Sequence, residues 1–283
     1  MVSSVTSIKP IENSKETLLG MTTALEQRFG CQPRNDLGTT LNTKFGVFPS
    51  LLPTNPKLVR YFCWGVGGKI NDTTGLSSAQ PPLGTDMAPY AIRPFRAVPF
   101  DSDLSAPEMA QYAMRQVVPN FQGTGVTYCL YYLKLIDFTS SQVQYVRQDP
   151  VTGNSVTYEI DDSNLSPTPP AVSDNGVITD VADSVSVILP GNCILTGQEV
   201  LESMAVMDGG DPRYAIASEM GFVSASTQSV SVVDNNGVPF SYNEAILAQM
   251  TDHYTCVGQP FFSTDDTWTR SIAFSLRNIV VSS

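Results

Sequence analysis

The chain has 283 residues, 42% of them hydrophobic, so it is a globular protein long enough for one large core or two smaller ones. Only 15% are charged, against about 25% in a typical soluble domain, and neutral polar residues fill the difference. The formal net charge of −11 argues against nucleic acid as the main partner, which needs a concentrated basic face, and no apolar run approaches the ~18 residues that span a bilayer.

In chain order, the first residues, MVSSVTSIKP, lack the basic start and apolar stretch of a secretory signal. Asn13 with Glu16 three residues later predicts a helix start, with Leu18, Met21, Leu25 and Phe29 on one face and Gly30 as its stop. Between residues 30 and 104, repeated prolines predict loops and short strands. Within that region Gly65-Val66-Gly67-Gly68-Lys69 resembles a phosphate loop. It fails the pattern, because Cys63 stands where the first glycine belongs and Ile70 follows the lysine. It reads as a glycine-rich turn at a strand end.

Ser105-Ala106-Pro107-Glu108 is a capping box, predicting a second helix through Met109, Tyr112 and Ala113. Residues 125–137 are aromatic and β-branched and predict a strand; residues 142–148 and 155–160 predict a hairpin. The proline-rich 167–170 segment reads as a linker, and 176–181 with 184–190 as another strand pair. Thr196 with Glu199 opens a third helix, carrying Val200, Leu201, Met204 and Met207 before Asp208-Gly209-Gly210. Strands at 220–226 and 229–233 precede the turn Asp234-Asn235-Asn236-Gly237, which is followed by a fourth helix from Ser241 with Glu244 and a closing strand near 269–281. These elements predict an α+β fold, mainly antiparallel and sandwich-like β-sheet with about four short helices, and more strand than helix. The linker suggests an N-terminal mixed portion, 1–166, and a β-rich C-terminal portion, 171–283, as two domains or one continuous domain.

Chemical signatures are sparse. The five cysteines form no CxxC pair and read as reduced, mostly buried thiols. His253 is the one histidine; its spacing to Cys256 raises a nucleophile pair, but no third orienting group or nucleophile motif accompanies them, so it reads as an imidazole closing the fourth helix. The local acid pairs Asp101/Asp103, Asp161/Asp162, Asp208/Asp211 and Asp265/Asp266 are candidates for glycoside chemistry, though aspartate also suits turns for backbone reasons. Residues 234–237 lack the remaining pattern of a calcium loop and read as a hairpin turn. No catalytic residue, cofactor or metal site is therefore assigned.

Charge is divided along the chain. Residues 1–139 carry 12 basic and 10 acidic side chains, whereas 140–283 carry 4 and 17. Either the acidic half is a solvated face, or it docks on a basic neighbour or on the N-terminal half of another copy. Under the second reading Arg213, Arg270 and Arg277 are the candidate interface cations, because planar guanidinium forks suit carboxylates.

Two blocks, 197–226 (GQEVLESMAVMDGGDPRYAIASEMGFVSAS) and 129–161 (CLYYLKLIDFTSSQVQYVRQDPVTGNSVTYEID), resemble tail and baseplate wedge components of tailed bacteriophages. In each, a helix or strand leads through a turn into strand. The resemblance implies a non-enzymatic virion subunit of the tail, neck or baseplate, assembled in the host bacterial cytoplasm. Its partners would be other virion proteins and copies of itself. The competing expectation is a carbohydrate-binding or glycoside-cleaving adhesin-type protein using aspartate pairs and exposed aromatics.

Overall fold

The structure, a computed structural model, describes residues 12–29, 40–71, 76–139, 141–148, 154–157, 183–211, 215–234 and 236–281. The chain forms two compact units, each made of two segments: Met1–Ile136 with Leu195–Trp268, and Asp137–Ile194 with Thr269–Ser283. The linker expected at 167–170 and the strand at 176–181 lie outside the described residues.

The first unit opens with β1 (Glu12–Glu16), α1 (Leu18–Phe29) and α2 (Leu41–Phe45). Then come β2 (Leu58–Gly65), β3 (Lys69–Asn71), β4 (Ser77–Ala79), β5 (Ile92–Arg93) and β6 (Arg96–Pro99). A one-turn helix, α3 (Ala106–Met109), precedes β7 (Tyr112–Val118) and β8 (Tyr128–Leu135). In the second unit lie β9 (Gln144–Gln148) and β10 (Ser155–Thr157), followed by β11 (Asp183–Thr196). The chain re-enters the first unit at the end of β11 and continues through α4 (Gly197–Met207), β12 (Ile216–Val233) and β13 (Pro239–Pro260) to β14 (Thr267–Val281).

An antiparallel sheet of order β1-β13-β12-β2-β8-β6, with β5 on β2 and β7 on β8, organises the first unit. The second has the order β10-β9-β11-β14. The architecture is α+β with antiparallel sheet dominant, as expected from the sequence. Phe62, Trp64 and Phe95 are fully buried, with Phe95 edge-on to Phe62 at 5.0 Å and to Trp64 at 6.5 Å; each such ring contributes roughly 2–3 kcal/mol by leaving water.

Locally encoded starts are present. Thr196 Oγ1 accepts the Glu199 amide while the Glu199 carboxylate accepts the Thr196 amide at 2.9 Å, so α4 begins where its capping box lies. At the start of α3 the Glu108 carboxylate likewise accepts the Ser105 amide, at 3.1 Å, but the helix stops at Met109. Tyr112 and Ala113, expected in its continuation, enter β7, where β8 supplies ladder partners.

Two expectations are corrected. Asn13–Glu16 is not a helix start: those residues are β1, paired with β13 from Asp252 to Cys256, and the cap is Thr17, whose Oγ1 accepts the Gly20 amide at 3.0 Å. The fourth helix does not exist: residues 239–260 are all β13. Its centre, 244–251, is buried throughout, so no alternation of polar and apolar residues marks it as a strand. A bulge adds to the helix-like spacing. The ladder steps from Ser224↔Gln249 to Ser226↔Ile246, with Leu247 left-handed at φ 53°. The buried Asn42 of α2 satisfies this bulge: its Nδ2 donates to Ala245 O at 2.8 Å and its Oδ1 accepts the Ala248 amide at 2.8 Å.

The polarity of α1 is inverted. Gly20, Thr23 and Glu26 are buried, and an ideal Cβ on Gly20 would lie 2.2 Å from Thr251 O. Helix backbone therefore rests directly on β13. The apolar residues Leu18, Met21 and Leu25 are instead 56, 44 and 57% exposed.

Candidate functional site

Two buried carboxylates on neighbouring strands organise the first unit. Glu219 of β12 accepts four hydrogen bonds: Oε2 from the amides of Gly67 (2.7 Å) and Ala91 (3.0 Å), Oε1 from the Tyr90 amide (2.6 Å) and facing His253 Nε2 (3.2 Å). The glycine turn at the end of β2 thus holds an anion, but the anion is the protein's own side chain. Gly68 is required there by close approach, since a Cβ would fall 2.0 Å from Ser218 O.

His253 is fully buried between Glu219 and Asp86, whose Oδ2 lies 2.8 Å from Nδ1. Burial opposes protonation of the imidazole, but the hydrogen bonds and charges of Glu219 and Asp86 outweigh it and raise the pKa. It lies within β13, not at a helix end. Cys256 is three residues along the same strand, on the opposite face, so the two do not form the nucleophile pair that their spacing raises. Cys63 is also unsuited to nucleophilic work, because burial and then the charge of Glu219 push its thiol up to about 12.

The second carboxylate, Glu244 of β13, accepts from the amides of Met114 (2.5 Å), Arg115 (3.1 Å) and Ala245 (2.7 Å) and from the Tyr242 hydroxyl (2.9 Å). Desolvation raises its pKa against the pull of these donors. It fixes the left-handed Met114 (φ 58°) and so positions Arg115.

Arg115 reaches Asp103 Oδ2 through Nε (2.9 Å) and Nη2 (2.7 Å), and Nη2 also approaches Cys129 Sγ at 3.2 Å. Asp103 Oδ1 accepts from Tyr131 OH at 2.7 Å and from the Leu104 amide at 2.8 Å. Burial, then nearby carboxylates, raise the phenol pKa values of Tyr131 and Tyr242, keeping both as donors. The guanidinium carbon lies 5.7 Å from the Phe100 ring centre and 5.8 Å from that of Phe240. Asp103, Arg115, Phe100, Phe240 and Tyr242 line a cavity of ≈610 Å³ between residues 100–110 and the end of the β12–β13 hairpin.

The remaining sequence candidates are engaged elsewhere or lie beyond description. Asp208 takes a two-point contact from Arg93 (3.2 and 3.1 Å), and Asp266 accepts the amides of Phe262 and Ser263. Asp234 Oδ1 accepts the amides of Asn236 and Val238 at 2.8 Å, making a hairpin turn as its sequence suggests. Asp161, Asp162 and Arg213 lie outside the described residues, as does the side chain of Arg277; Arg270 is half-buried on β14. Of the local acid pairs, the structure brings Asp101 and Asp103 to one cavity and adds Arg115, Phe240 and Tyr242, which the sequence did not single out. Among the described residues, no group of three His, Cys, Asp or Glu side chains is arranged to hold a metal ion, and no helix is long and apolar enough to cross a membrane.

The sequence pattern of a family of unknown function, DUF7208, matches residues 4–269, and the chain belongs to that family. No curated protein and no solved structure matches it.

Proposed function

We propose that this DUF7208 member is a non-enzymatic structural subunit of a tailed-phage virion, in the tail, neck or baseplate. It acts through protein–protein interfaces with other virion proteins and with copies of itself, assembling in the host bacterial cytoplasm. The observation that carries this reading is the inverted helix α1. Leu18, Met21 and Leu25 form one helical stripe and are roughly half exposed, while the helix buries Gly20, Thr23 and Glu26 against the sheet. A contiguous apolar stripe turned away from its own core is what an interface with another chain requires. The sequence resemblance at 129–161 and 197–226 supplies the particle context.

Purified particles from the source phage, analysed by quantitative mass spectrometry, should contain this chain in fixed proportion to the other structural proteins. Its absence would overturn the reading. The doubly substituted chain Leu18→Glu/Leu25→Glu should fold with an unchanged circular-dichroism spectrum yet fail to enter particles. Incorporation at the normal level would dismiss α1 as the contact.

A further inference from the structure

We infer that the cavity between residues 100–110 and the β12–β13 hairpin is a binding site for a neutral saccharide unit. Beyond Ser226↔Ile246 the described hairpin partners of β12 and β13 are only each other, which leaves this two-stranded ribbon beside the 100–110 loop. The cavity volume of ≈610 Å³ falls within the range of about 300–1,000 Å³ typical of small-molecule sites.

The chemistry of the walls narrows the ligand class. Asp101, Asp103, Asp234 and Arg115 line the space, so formal charges leave it acidic and unfavourable to an anion. A cationic ligand would have to lie beside the Arg115 guanidinium. That group is almost wholly buried, and among the described residues its hydrogen bonds run through Nε and Nη2, leaving Nη1 open. An open donor, nearby carboxylate acceptors and the rings of Phe100, Phe240 and Tyr242 suit a ligand that has hydroxyls along its rim and C–H groups on its faces. The arrangement is held in advance of binding: Asp103 and the two rings fix the guanidinium, and Glu244 fixes the backbone that carries it. Such preorganisation lowers the ordering cost of binding.

The site is independent of the α1 surface, and the experiment separates the two. The 283-residue chain is titrated with D-glucose, D-galactose, N-acetyl-D-glucosamine and lactose, and in parallel with agmatine and with sulfate, while ¹⁵N-amide shifts are followed. At least one sugar should give saturable shifts confined to residues 100–115 and 229–243, with a dissociation constant of about 1 mM. Phe240→Ala should weaken it about tenfold or more, and Arg115→Lys, which keeps the charge and removes the planar fork, should do the same. Leu18→Glu should leave it unchanged. If Arg115→Lys fails to fold, Phe240→Ala decides. Saturation by agmatine or sulfate instead of a sugar, absence of sugar-dependent shifts, or retention of affinity in Phe240→Ala would overturn the assignment.

Discussion

Glu219 Oε2 accepts the Gly67 amide at 2.7 Å across 152 residues of sequence, so the glycine turn that resembles a phosphate loop is closed around an internal carboxylate. The backbone there does present N–H groups to an anion, as such loops do. Strand β12 supplies the acceptor from within the chain.

Glu219→Gln and Glu219→Ala should both destabilise the protein strongly. Alanine leaves the amides of Gly67, Tyr90 and Ala91 without their acceptor, and glutamine turns one acceptor edge into a donor facing donors. At about 1–3 kcal/mol for each unsatisfied buried group, the loss should reach roughly 3 kcal/mol or more. Urea unfolding with an unchanged m-value checks this; a loss below about 1 kcal/mol would show that the cradle is relaxed in solution.

His253 makes stability fall as pH rises. Its folded-state pKa is raised above the ordinary value, so its contribution is complete below about 6.5, the unfolded value, and is lost as pH climbs through the folded pKa. Glu244 acts in the same direction at lower pH, since its pKa is also raised: stability falls as pH rises from the unfolded carboxylate value toward the folded one. Melting temperatures measured from about pH 5 to about pH 9 should decline through the histidine window, and His253→Gln should flatten that part of the curve. An equal slope in the variant would assign the decline to other groups.

Asn42 stabilises the bulge that interrupts β13. Asn42→Ala removes partners from Ala245 O, Ala248 N and Val47 O and should cost about 3 kcal/mol or more. Asn42→Asp keeps an acceptor for Ala248 but aims a carboxylate oxygen at two carbonyls, so it should not rescue stability. Denaturation of both variants is the measurement; full rescue by aspartate would contradict the geometry.

Gly20→Ala should reverse the usual helix rule. In an exposed helix this change is worth up to about 1 kcal/mol of stabilisation. Here the added methyl meets Thr251 O at 2.2 Å, and displacing α1 from β13 should instead cost about 1–3 kcal/mol. Gly84→Ala, where the nearest atom is 3.9 Å away, should stay within about 0.5 kcal/mol of the parent. Stabilisation by Gly20→Ala would mean that the helix stands off the sheet.

What the sequence determines alone is whatever closes within a few residues. Thr196 and Glu199, Ser105 and Glu108, and the Asp234 turn satisfy backbone donors two to four positions away, so their signals survive without knowledge of the fold. The aromatic and β-branched run of β8 is legible for a similar reason, since its side chains favour extended backbone. Tertiary structure alone decides the rest. Ser241 and Glu244 offer another local cap, yet β12 and Asn42 hold that segment as strand, and Glu244 spends its oxygens on Met114 and Arg115 instead. The charge division also resolves only in three dimensions. Acids of the C-terminal half meet bases of the N-terminal half within one unit: Arg93 with Asp208, Arg96 with Glu202, and Lys134 with Glu199. The first two pairs are separated by 115 and 106 residues. Composition records such an imbalance, but only the sheet that brings distant strands together determines which charges are neighbours.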